Sequence, residues 1–264
     1  RLIVVSSPEH EDAEAAYLEM LQEKKVDGII LMRETENRRV LKSIESSPVP
    51  VVLASILLEP LELPSVRIDD YAATREGTEY LLDLGHERIA LVVGYGYYSD
   101  KRRLRGFRDA MRDKGLDSNS QQVEVGNYTL QSGYDCTVRI LKADPDVTAL
   151  FVLSDEMAIG ALRAAGEMGR SVPEDLSILG FDGIELGGFV SPALTSVYQP
   201  CAAIGEEAVP LLAIRGKGVG QIVEVGPEPL HLHHVLADPA RRAELLAKVM
   251  GGGDVVGMGM GVEN

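Results

Sequence analysis

The chain has 264 residues, a formal net charge of −15 and 45% apolar residues, the balance of a soluble globule. A chain of this length buries roughly three-quarters of its unfolded surface, so no disulfide or metal staple is required. The acid excess repels phosphate backbones, which excludes this stretch, taken alone, as a holder of DNA. No apolar run approaches the ~20 residues of a membrane span, and no signal peptide opens the chain. Residue 1 is Arg and a strand-like run follows at once, so the chain is expected to begin within a longer protein.

Short β-rich runs alternate with amphipathic stretches. Residues 2–6 are expected as a strand, and residues 11–25 as a helix with Ala15, Leu18, Met20 and Leu21 on one stripe. Strands are expected at 26–32, 49–55 and 65–68, then a helix at 71–84 that Gly85 ends. Strand 88–94 leads to helix 101–114, strand 121–125 to helix 130–142, and strand 148–154 to helix 156–168. Strands 176–181 and 194–199 and a helix at 202–214 follow, with Gly169 and Gly216 as stops. Near-continuous apolar runs such as Ile89-Ala90-Leu91-Val92-Val93 suit parallel strands covered on both faces.

The fold class is therefore α/β, with two doubly wound parallel-sheet lobes and crossings at 66–69 and 198–200. Residues 1–67 and 200–222 are assigned to an N-terminal lobe, and 68–199 with 223–238 to a C-terminal lobe. A further strand is expected at 228–235, a short helix at 239–250, and residues 239–264 end in a flexible Gly/Met-rich tail.

Open α/β sheets bind ligands at the carboxyl ends of their strands. Here those ends offer Ser55, Asp69, Tyr97, Ser99, Ser154, Asp155, Asp182 and Gln199, with Arg103 one turn into the following helix. The set is polar and mixed in charge, as a hydroxyl-rich ligand requires. Helix capping is the competing role on the same rim, and Asp100 and Asp155 stand where N-caps would.

The turn from Gly94 to Ser99 has the place of a dinucleotide fingerprint, with Glu124 as a ribose-binding acid on the next strand. It lacks the third glycine and fills the phosphate space with tyrosines, so it reads as a turn lining a cleft. No G-x-S-x-G, H-E-x-x-H or Walker loop is present, and neither an enzyme nor a cofactor or metal site is expected. His86 reads as a loop tie, and His231, His233 and His234 as a surface group on a strand. Cys136 and Cys201 read as small buried hydrophobes in a reducing cytoplasm. Arg102, Arg103, Arg105 and Arg108 make a basic turn that balances local charge.

Several segments carry a resemblance when taken in order. They are V-D-G-I-I-L from Val26, P-V-V-L from Pro50, L-G-H-E-R-I-A from Leu84 and R-L-R-G-F from Arg103. D-E-M-A-I-G from Asp155, V-P-E-D-L-S-I-L-G-F-D from Val172 and P-A-L-T-S-V-Y-Q-P from Pro192 complete the series. Together they resemble the effector-binding region of the LacI/GalR family of bacterial transcription regulators.

The resemblance implies a type I periplasmic-binding-protein-like fold that closes on a small, carbohydrate-like effector. It implies a cytoplasmic homodimer that meets operator DNA through a helix-turn-helix domain absent from this chain. By position, Arg103 would grip the effector, Asp182 would accept its hydroxyls and Tyr128 would stack on its ring. Tyr97 and Ser99 would line the rim and Gln199 would sit at the lobe crossing.

Ser154 stands where the family usually has Asn, and Ser55 where it often has Asp. Both serines have less reach and fewer acceptors, so a standard hexose is not the expected effector. The first strand and first helix of the first lobe are also expected to lie outside the chain. Without them 2–6 separates from its sheet, and the chain is expected to be less stable than the complete region or to borrow a strand. Alanine at Arg103 or Asp182 is expected to abolish effector binding while leaving the fold intact. The alternatives are an extracytoplasmic sugar-binding protein of a transporter and a nucleotide-dependent oxidoreductase.

Overall fold

The computed structural model describes residues 3–5, 11–23, 26–59, 61–213 and 222–225. The first lobe opens with α1 (Glu11–Glu23), β1 (Ile29–Leu31), α2 (Arg38–Glu45), β2 (Val51–Ala54) and β3 (Ser65–Arg67). The second lobe follows as α3 (Asp70–Asp83), β4 (Ile89–Val93), α4 (Tyr98–Asp113), β5 (Val123–Val125) and α5 (Leu130–Ala143). It continues with β6 (Ala149–Val152), α6 (Asp155–Glu167), β7 (Ser177–Asp182), a 3-10 turn (Glu185–Gly188) and β8 (Thr195–Tyr198). The chain then returns to the first lobe as α7 (Cys201–Ala213) and β9 (Ile222–Glu224).

Among the described residues the two sheets run in the orders β1-β2-β3-β9 and β5-β4-β6-β7-β8, every pairing parallel. The strand period of two explains how one apolar run serves two faces. Ile89, Leu91 and Val93 of β4 pack with Phe107 and Met111 of α4 and Leu81 of α3. Ala90 and Val92 turn the other way, onto Ile140 of α5 and Met157 and Ala161 of α6. In the first lobe, Val52 and Ala54 face Ala208 and Leu211 of α7, while Val51 and Leu53 face Leu18 of α1 and Ile44 of α2.

Two crossings join the lobes. β3 ends at Arg67 and Asp69 caps α3, its carboxylate accepting the amides of Tyr71 and Ala72. β8 ends at Tyr198 and α7 begins three residues later, back against β2 and β3. At the far end of α3, Gly85 adopts φ +92° and closes the helix as expected, with the His86 amide reaching the Leu81 carbonyl.

Several expectations change. Residues 3–5 form no strand, and Ile3 and Val4 are exposed (47% and 82%). The sheet's described pairing ends at β1, which leaves that apolar segment without a ladder. α2 was not expected, because eight residues carry little more than two turns of periodicity. β9 pairs with β3, so Val223 and Glu224 belong to the first sheet rather than the C-terminal lobe. Cys136 is buried but Cys201 is exposed, because it opens α7 rather than filling its core face. The strand expected at 228–235, its histidines, the helix at 239–250 and the tail lie outside the described residues.

Helices α5 and α6 approach closely through glycine. A Cβ on Gly160 would lie 1.9 Å from the Leu130 carbonyl oxygen, and one on Gly133 would lie 2.0 Å from that of Met157. Alanine normally favours a helix over glycine by about 1 kcal/mol. Here the clash is with backbone, and the strain of overpacking, typically about 1–3 kcal/mol or more, dominates. Gly160→Ala is expected to lower the urea midpoint clearly; a raised midpoint would show that the helices have room.

Candidate functional site

The loop after β1 meets the start of α4 after β4, at the carboxyl ends of the two sheets, and Arg103 is the buried cation of α4. Six per cent exposed on α4, it is fixed from three directions. Nε donates to Asp70 Oδ1 at 2.8 Å, a terminal nitrogen donates to the Leu153 carbonyl at 3.1 Å, and the guanidinium lies 3.9 Å from the Phe181 ring centroid. Burial alone would weaken its charge, but the Asp70 carboxylate and the nearby Tyr128 and Asp182 raise its pKa.

Asp182 ends β7 beside this cation. Its Oδ1 accepts from Gln199 Nε2 at 2.7 Å, and its carbonyl accepts the Gln199 amide at 3.0 Å. Burial pushes its pKa up to about 7, opposed by the Arg103 charge and supported by that of Asp155. Near neutral pH it is close to half-ionised, and its ionised form can accept a hydrogen bond from a ligand hydroxyl.

Tyr128 closes another side. Its hydroxyl donates to Asp100 Oδ1 at 2.7 Å, and burial raises its pKa, so it stays a donor. The ring lies over Gly94, where a Cβ would come within 2.1 Å of it, which explains a glycine at the end of β4. Tyr95 stands between Tyr128 and Tyr97 with ring centroids 5.9 Å and 5.7 Å away, forming an aromatic rim.

The remaining expected residues occupy the same rim unequally. Tyr97 and Ser154 are the N-cap residues of α4 and α6, yet neither side chain makes a capping bond. Ser99 lies in the first turn of α4. Ser55 sits at the end of β2, where its amide donates to the Val66 carbonyl. Among the described residues, its side chain has no hydrogen bond to the Arg103 cluster. Ser55, Tyr128 and Asp182 have φ of 61°, 61° and 120°, and they are the described non-glycine residues with positive φ. Backbone held in such regions tends to mark ligand sites; Ser55 and Asp182 stand among the strand ends, and Tyr128 is a residue the family resemblance implies.

Two expected caps have other tasks. Asp100 is the third residue of α4, and its two oxygens accept the amides of Gly94 and Gly96 at 3.0 Å each. It thereby folds the glycine turn and occupies the donors a pyrophosphate would need. Asp155 accepts from the Ile184 amide at 2.8 Å and from Ser196 Oγ at 2.6 Å, tying α6 to the end of β7. Glu124 is taken by an ion pair with Arg139 at 2.7 Å. His86 does tie a loop, with Nδ1 3.0 Å from Thr148 Oγ1.

Sequence reasoning missed Asp70 and Glu34. Asp70 opens α3, 3% exposed, and its role depends on a partner 33 positions away. Glu34 follows β1 in a loop, where an acid is ordinarily solvated, but it is 7% exposed and accepts from α4 of the other lobe. No local signal distinguishes either. A cavity of about 390 Å³ lies beside Asp155, lined by Gly183, Ile184 and Phe189, away from Arg103. The lobes touch where Glu34 meets the first turn of α4.

A family model described as a periplasmic binding protein-like domain matches residues 78–230. Catabolite control protein A of Priestia megaterium is 37% identical over 213 residues, which is 80% of this chain and 64% of that protein. The HTH-type transcriptional repressor CytR of Escherichia coli strain K12 is 34% identical over 227 residues, 83% of this chain and 65% of that protein. The chain thus spans just under two-thirds of the length of both relatives. A solved structure of the transcriptional regulator CelR with cellobiose superposes with a TM-score of 0.77 at 28% identity, covering 84% of this chain and 70% of that one. The chain belongs to the periplasmic-binding-protein-like domain family, and the relatives it resembles include a transcriptional repressor.

Proposed function

We propose that this chain is the effector-sensing region of a cytoplasmic transcriptional regulator. It binds a small, hydroxyl-rich molecule between its lobes, and binding alters operator affinity through a DNA-binding domain outside this sequence, in a homodimer. The carrying observation is the group of polar residues at the strand ends: Gln199 bonded to Asp182, Arg103 to Asp70 and Tyr128 to Asp100, with Asp182 and Tyr128 at positive φ. Such a cluster offers a carboxylate, an amide and aromatic faces to one ligand. The relatives' names as repressors and the cellobiose bound to a structural neighbour support this reading. The net charge of −15 supports placing DNA contact elsewhere.

The test is a thermal-shift screen of the purified chain against sugars, nucleosides and small acids. A ligand that binds only the folded state, present at a hundred times its Kd, stabilises by about 2.7 kcal/mol. One class of compound is expected to raise Tm saturably in wild type and not in Asp182→Ala. A shift that survives that substitution places the ligand elsewhere.

A further inference from the structure

The contact between Glu34 and α4 is not accounted for by the fold of either lobe. Glu34 belongs to the first lobe, between β1 and α2. Its carboxylate accepts the backbone amides of Tyr98 at 2.7 Å and Ser99 at 3.2 Å, in the first turn of α4 in the second. A helix leaves its first amides without internal partners and concentrates positive potential there, which makes the first turn a natural seat for an anion. Tyr97, at the N-cap, supplies no side-chain acceptor. The seat is therefore filled by this chain's own carboxylate, nine-tenths buried.

The second feature that would attract an acidic ligand is also occupied. Arg103 is held by Asp70 through an ion pair in which both side chains are buried. An incoming phosphate or carboxylate would meet the carboxylates of Glu34, Asp100 and Asp182, while Arg103 already gives Nε to Asp70 and a terminal nitrogen to the Leu153 carbonyl. Like charges brought together in a poorly solvated site repel strongly. A neutral polyol avoids that repulsion and can donate its hydroxyls to the same carboxylates.

We propose that Glu34 is a specificity-determining residue of the cleft, a built-in anion on the first turn of α4 that excludes phosphorylated and carboxylated ligands and confines the effector to uncharged ones. This rests on reading the cleft as the effector site. Glu34 also bridges the lobes, so a neutral ligand enters beside a contact already made rather than in place of it.

The test uses inorganic phosphate as the probe and the amide resonances of Tyr98 and Ser99 as the readout, in wild type, Glu34→Ala and Glu34→Gln. Wild type is expected to show no saturable shift at these amides. Removing the charge should strengthen phosphate binding there on the order of tenfold, and Glu34→Gln keeps the measurement available if the alanine variant does not fold. Equal phosphate binding by wild type and both variants overturns the proposal, as does a gain in neither variant. Ribose and ribose 5-phosphate provide a paired control, and tighter wild-type binding of the phosphate ester also overturns it. Failure of the effector reading looks different: no neutral compound binds wild type, whatever phosphate does at α4.

Discussion

Replacing Arg103 by alanine is expected to destabilise the chain by about 3–5 kcal/mol, the usual cost of breaking a buried ion pair from one side. The Asp70 carboxylate, 3% exposed, would lose its partner with no access to water. The stacking on Phe181 and the bond to the Leu153 carbonyl would go with it. This revises the expectation from sequence, in which alanine removed a ligand contact and left the fold intact. Arg103 is better read as the keystone that positions the site and only then as a ligand contact. Urea unfolding of Arg103→Ala and of the Arg103→Met, Asp70→Asn pair measures it. The double variant should recover a large part of the loss, since both charges are then gone. A single variant within about 0.5 kcal/mol of wild type, the range of ordinary surface substitutions, contradicts the buried pair.

Asp182 has the second large effect, and it is a dependence on pH. The groups facing it are Arg103, Asp155, Gln199 and Cys201, and burial outweighs the Arg103 charge to set its pKa near 7. A ligand hydroxyl donates to the ionised form. Affinity for a hydroxyl-rich effector should therefore rise as pH rises through about 7, becoming about tenfold stronger at pH 8 than at pH 6 by linkage. The unliganded fold should move oppositely. A folded pKa above the ordinary 3.8 means the native state holds this proton more tightly, so its contribution to stability is lost as pH rises from about 4 to about 7. Calorimetric titration at pH 6, 7 and 8 reads the first trend, and Asp182→Asn should flatten it. A wild-type affinity independent of pH across that range would separate Asp182 from the ligand.

Much of this molecule is legible from residues close in sequence. The run Ile89–Val93 announces a doubly covered parallel strand, and all five residues are buried. Gly85 marks the end of α3 where the structure ends it. The strand ends were legible because fold class alone says where to look. What escaped depends on partners distant in sequence. Asp70 reads as a helix-opening acid until Arg103 folds onto it, and Glu34 reads as a loop acid until the second lobe meets it. Asp100 and Asp155 were seen as candidate caps, but their bonds back to a turn were not, because an acid at a helix start has the same signature in either role. β9 escaped because three residues do not make a pattern.

The most direct test of the account is a crystal structure of the chain with the strongest neutral ligand from the thermal screen. The expected result places ligand hydroxyls within hydrogen-bond distance of Asp182 and Gln199, with a ring face against Tyr128 and Glu34 still on the amides of Tyr98 and Ser99. A ligand bound with full occupancy elsewhere, such as the cavity beside Asp155 and Phe189, would contradict it.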